Sequence, residues 1–172
     1  LLEGFDPDPP LADLQSFAAD PEARAASMLG KATTRIVYDL GRYQRCGQPP
    51  FAATLAREVH LHQRGGTQSR IQTSINYSDG FARIVQRKVQ AEAGPAPARS
   101  APTTLPSGDM AIGSLVFDAQ HRLTSVAAQR RWTGTGRTVF NNKGLPVREY
   151  EPFFSAEHLY EPEPEMTDTG VS

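Results

Sequence analysis

The feature that most constrains this chain is a double alternation around one turn. In "SRIQTSINYSDGFARIVQRKVQ" apolar and polar residues alternate on both sides of Asp79-Gly80. Side chains two apart share a strand face, so Ile71, Thr73, Ile75 and Tyr77 line one side. Asp-Gly between two such runs reads as a hairpin tip. On the return strand Arg83, Gln86, Arg87 and Lys88 read as a charged outer surface. Ile84, Val85 and Val89 supply apolar contacts across one irregularity with the character of a bulge.

The same grammar recurs. "YDLGRYQR" (38–45), "YSDGFAR" (77–83), "FDAQHRLTS" (117–125) and "FNNKGLPVR" (140–148) each open on an aromatic at the end of an apolar strand. Asp or Asn follows within two residues, then an Arg and a return strand. Tyr38, Tyr77, Phe117 and Phe140 are expected to bury their rings as strand-end anchors. Asp39, Asp79, Asp118 and Asn142 are expected to bond the turn backbone, and Gly41, Gly80 and Gly144 to take φ > 0. Such hairpins cannot bury a face alone, and stacking them makes a continuous sheet. Four ordinary hairpins in an unrelated β domain would carry the same pattern.

The rest of the chain divides around these units. Residues 1–19, punctuated by Pro and Asp, read as an extended segment. "DPEARAASMLGK" then has Asp20 to cap, Pro21 for the first turn and Gly30 to end a short helix over about 21–29. Residues 20–95 hold this helix and the first hairpins, and 96–110, rich in Pro, Ala and Ser, read as a linker or insertion. Further hairpins occupy 111–160, and 161–172 read as a disordered acidic tail. The expected fold is mainly β: antiparallel hairpins with one short N-terminal helix. With 14 Gly and 14 Pro the 172-residue chain has the composition of many short strands and turns. The first residues, "LLEGFDPDPP", have no signal-peptide character, and the chain reads as a piece of something longer.

Several chemistries are disfavoured. Eighteen Lys and Arg against 19 Asp and Glu give a net charge of -1, which points to neither nucleic acid nor an acidic membrane as partner. No apolar run approaches the ~18 residues of a membrane span. Cys46, the one cysteine, precludes an internal disulfide and has no catalytic signature around it. "GTGR" (134–137) lacks the rest of a phosphate loop and reads as a turn after Trp132. His60 and His62 share a strand side but have no further ligands at a useful spacing. Glu161, Glu163 and Glu165 lie in a Pro-spaced stretch that cannot hold two catalytic carboxylates at a fixed separation. Arg83, Arg87 and Lys88 read as a solvated face rather than a polyanion site. No cofactor, metal or catalytic constellation is expected, and the chain reads as non-enzymatic.

Three longer blocks carry a resemblance. The signature of the RHS/YD repeats is "YDxxGR", and "FDAQHR" and "FNNKGL" look like weakened copies of it. The blocks "ATTRIVYDLGRYQRCGQPPFAATLARE" (32–58), "NYSDGFARIVQRKVQAEAGP" (76–95) and "RWTGTGRTVFNNKGLPVREYEPFFSAEHLYE" (131–161) resemble the B component of bacterial tripartite Tc toxins, the SpvB/TcaC-like insecticidal proteins. The resemblance runs over roughly 20–162 and breaks at about 96–130. It implies a secreted, structural role: part of a hollow β-sheet shell wound from YD hairpins. The implied partners are a C-type component carrying the toxic polypeptide and an A-type component that translocates it, with no nucleic acid and no direct membrane insertion. The aspartyl autoproteolysis associated with such shells belongs to the C component, and no matching motif is present here. The family's B component is many times longer than this chain. A stand-alone β-rich module that binds a protein or glycan is the alternative.

Overall fold

The computed structural model describes residues 6–58, 69–81, 83–135 and 138–162. Two helices, α1 (Leu11–Ala19) and α2 (Pro21–Leu29), precede β1 (Thr34–Asp39), a short helix α3 (Arg42–Cys46), β2 (Phe51–Arg57), β3 (Ile71–Ser78) and β4 (Ile84–Ala91). The next segment carries β5 (Gly94–Pro97), β6 (Thr103–Thr104), β7 (Met110–Ala111) and β8 (Ser125–Ala128). The chain then returns as β9 (Arg131–Thr135), β10 (Thr138–Phe140), β11 (Pro146–Glu149) and β12 (Phe153–Ser155). The fold is mainly β, as the alternation requires. An antiparallel six-stranded sheet in the order β1-β2-β3-β4-β9-β12 forms its centre, with β5-β8, β6-β7 and β10-β11 pairs beside it.

One face of the sheet is buried. Val37, Ala53, Ile75, Lys88, Gly134 and Phe153 form a single row across all six strands. Helices α1 and α2 cover this face through Leu14, Phe17, Ala18, Ala25 and Leu29. Phe17, Phe51, Tyr77 and Tyr160 form an aromatic chain with centroid spacings of 6.5, 6.1 and 5.6 Å. Arg57 donates to the carbonyls of Gly30 and Ala32, so the sheet itself closes the end of α2.

Several sequence expectations need correction. Residues 11–19 are helical, not extended. Pro10 takes extended φ/ψ at the N-cap, and Leu14, Phe17 and Ala18 recur at helical spacing and are buried. The prolines before them start a helix instead of preventing one. Residues 96–110 are not a structureless linker. Pro95 and Pro97 alternate with residues that keep an N–H, so the strand can pair on one side, and Ala98 N donates to Thr124 O at 2.9 Å. The 161–172 tail begins buried, since Glu161 is only 2% exposed.

The return strand β4 is corrected too. Gln86 and Lys88 are 1% and 0% exposed and face the core, whereas Ile84 is 52% exposed. The irregularity lies where the register shifts between Tyr77 and Ser78. Beyond such a bulge the chain's facing reverses, and partners from another segment decide which set turns inward.

Candidate functional site

The residues 153–162 run back over the buried sheet face as a strap, and their polar anchors form the most concentrated chemistry of the fold. Phe153 to Ser155 pair with β9, and the absence of a side chain at Gly134 makes this possible: a Cβ there would fall 2.4 Å from the Phe153 ring. The ring then lies 4.9 Å from Lys88 Nζ. Gly134 is therefore a strand position and not the turn expected after Trp132, which is itself 4% exposed in the core. Gly136 and Arg137 lie outside the described residues, as do His60, His62, Glu163 and Glu165.

Further along the strap, Tyr77 donates its hydroxyl to His158 O at 3.0 Å. Gln86 bonds the backbone of residue 161 in both directions, donating Nε2–H to its carbonyl at 3.1 Å and accepting its N–H at 2.9 Å. The Glu161 carboxylate sits between two cations, Lys88 on one oxygen and Arg99 on the other. Lys88 also donates to Glu157 O at 3.2 Å. Burial drives the Lys88 ammonium downward from its ordinary value, and the Glu161 carboxylate opposes that. Burial also raises Tyr77 and Glu157. His158 Nε2 donates to Ala18 O at 2.8 Å, its ring lies 5.7 Å from Trp132, and burial lowers it to about 4. Each group is a poor tenant of the interior alone, and the set is acceptable because its members satisfy one another.

A second ionic cluster pins α3. Arg45 forks onto Asp39 at 3.0 and 2.6 Å and onto Asp109 at 3.2 and 2.9 Å, and Arg42 donates to Met110 O at 2.7 Å. Burial pushes the Asp109 carboxyl up, but Arg45, Ser107 and Arg42 hold it below the ordinary carboxylate range. So Asp39 does not bond a turn backbone. The β1–β2 connection is a helix, Gly41 sits at φ −83°, and Tyr38 is 53% exposed on the outer face. Cys46 Sγ bonds Arg42 O at 3.2 Å, an ordinary contact within that helix.

The other turns share one geometry. N–H of residue i bonds the carbonyl of i+4 in Asp79–Arg83, Leu105–Asp109, Asp118–Arg122 and Asn141–Leu145, at 2.8 to 2.9 Å. In the three led by Asp or Asn, the side-chain oxygen accepts N–H groups from i+2 and i+4. Arg83 and Arg122 then return to the leading carboxylate. The left-handed residue is the fourth of five: His121 at φ 55°, Gly108 at 86° and Gly144 at 76°. Gly80 is second in its turn and lies outside the left-handed region. Asn141, not Asn142, leads its turn. Leu105–Asp109 was missed in sequence, although "LPSGD" carries Pro and Gly at the positions this turn requires.

Around these turns Phe117 is 44% exposed and pairs with Leu123 in an isolated bridge. Phe140 receives the Arg83 guanidinium at 4.2 Å, so two hairpins stack on each other. Among the described residues no group of three or more His, Cys, Asp or Glu is placed to hold a metal ion.

No protein-family model matches the chain, and no curated protein matches it significantly. Solved structures do. The crystal structure of TcdB2-TccC3 aligns with a TM-score of 0.54 and 28% identity over 74% of this chain. A Photorhabdus luminescens Tc holotoxin pore aligns with a TM-score of 0.51 and 30% identity over 69%. The chain resembles a segment of a Tc toxin complex. It spans 5% of each of those chains.

Proposed function

We propose that this chain is a non-catalytic structural segment of a B-type, SpvB/TcaC-like toxin-complex protein, contributing YD-type hairpins to the shell around a cytotoxic polypeptide. The likeness to TcdB2-TccC3, sustained over 74% of the chain, carries this reading. Its partners would be the C-type component that supplies the polypeptide and the A-type component that translocates it, acting outside the producing cell. Two features support it. Asp- and Asn-led turns recur and stack through Arg83 on Phe140. Among the described residues the six-stranded sheet also ends on β1 and β12, the positions at which neighbouring strands of a shell would be added.

The test is to extend the reading frame on both sides, co-purify the product with a C-type component and challenge the complex with protease. The enclosed polypeptide should survive while exposed loops are cut. Immediate digestion would sink the shell role. The stand-alone binding module remains the second reading because helices and strap already close one core within this chain. A monomer in sedimentation with a single cooperative unfolding transition, and no repeats encoded beside it, would favour that module.

A further inference from the structure

The turns and the Asp39–Arg45–Asp109 cluster are fully accounted for as scaffolding, but the strap carries a group that scaffolding does not need. His158 is 8% exposed, next to a half-buried ionisable residue, Glu157. An amide or an apolar residue would fill that place without any cost of charge. A polar cavity of about 190 Å³, lined by Asp20, Glu22, Arg130, Trp132, Glu157 and His158, lies against the ring and offers a proton a route in.

We propose that residues 157–161 are an acid-released latch: protonation of His158 detaches them from the α1–α2 junction and the sheet face while the strand ladder stays paired. The groups that face His158 decide the sign. The α1–α2 junction presents the Ala18 carbonyl and Asp20. Strand β4 presents Lys88 and α3 presents Arg42, two cations that oppose a third. Strand β9 presents the Trp132 ring, and the strap itself carries Glu157 and Glu161. Asp20 favours the imidazolium, but it already serves Arg130 and the Ala23 amide. The Ala18 carbonyl favours the imidazolium as well, but burial, helped by the two cations, outweighs both, so neutral His158 keeps the latch shut.

Glu157 works in the opposite direction to His158, since its raised value means that it takes a proton without loss. The ladder from β1 to β4 and β9 is held by backbone hydrogen bonds and apolar packing, which protons leave alone. The inference does not depend on the toxin-complex reading.

Trp132, the one tryptophan, is a built-in reporter because an imidazolium beside it changes its emission. The experiment follows Trp132 fluorescence and amide hydrogen exchange of the full chain from pH 7 to pH 4. Protection over 156–162 should fall by up to about tenfold per pH unit below 6.5, roughly 100-fold by pH 4 for a pKa lowered to about 4, while 71–78 stay protected. His158→Gln, which keeps a donor for Ala18 O but cannot titrate, should hold its protection flat. Loss of protection in 71–78 at the same pH, or opening of His158→Gln at the parent's pH, would overturn the latch. Should that variant not fold, the NMR titration of His158 in the parent chain decides. An ordinary value near 6.5 refutes the proposal, and a strongly lowered one supports it.

Discussion

At the scale of single residues the buried charges dominate. Glu161 is shared by Lys88 and Arg99, so the three should not respond equally to substitution. Glu161→Leu leaves two cations buried without a counter-charge and is expected to cost about 3–5 kcal/mol. Lys88→Met leaves the Arg99 pair intact and should cost less. Urea unfolding at pH 7 gives the order directly, and a larger loss for Lys88→Met would mean that Arg99 does not share the carboxylate. His158 sets a pH dependence of defined sign. Its folded value is depressed from 6.5 to about 4, so its stabilisation is complete above pH 6.5 and is lost as the pH falls toward 4. The linkage amounts to about 3 kcal/mol, partly offset by Glu157, whose raised value acts the other way. Stability of the parent and of His158→Gln, compared at pH 7 and pH 4.5, isolates that contribution.

Among the elements, the turns are the units that sequence and structure describe in different terms. Asp79 accepts two backbone N–H groups and the Arg83 guanidinium, and Asp79→Ala should cost about 1–2 kcal/mol. The same change at the exposed Asp118 turn should cost less. Asn141→Ala should destabilise by about 1 kcal/mol and Asn142→Ala should be near neutral, because only Asn141 receives the Lys143 and Leu145 amides. Thermal unfolding of this pair is a clean check, since the two residues are neighbours of identical chemistry. Strand β12 depends on a vacancy rather than a bond. Gly134→Val should push the Phe153 ring away and cost about 1–3 kcal/mol, with hydrogen exchange rising first over 153–155.

For the molecule as a whole, the question is whether the sheet ends where this chain does. Strand β1 lies at one edge, with Ile36 48% and Tyr38 53% exposed and no lysine or proline on it. An edge of that kind pairs with whatever strand is offered. The isolated chain is therefore expected to associate as its concentration rises, and Ile36→Lys should shift it toward monomer in sedimentation velocity. A chain that remains monomeric without the substitution would favour the stand-alone module over the wall segment.

The alternation from Ile71 to Tyr77, the caps at Asp20 and Gly30 and the turn chemistry at Asp79 and Asp118 were legible because each depends on residues within a few positions of one another. A local signal also existed for α1 in the spacing of Leu14, Phe17 and Ala18, and for the "LPSGD" turn, but prolines masked both. What could not be read is which way β4 faces. Alternation alone permits Arg87 or Lys88 to point inward, and the apolar residues around the bulge favour the wrong choice. Lys88 turns inward because Glu161, 73 residues later, returns to meet it. The same distance hides the pairing of Asp39 with Asp109 through Arg45 and the burial of His158 under α1. By itself the sequence determined a mainly β chain of short antiparallel strands and asparagine- or aspartate-led turns, since backbone sterics and local hydrogen bonds act over a few residues. Only the tertiary structure decided which charges are buried, because the free energy of a charge depends on the partner that arrives beside it.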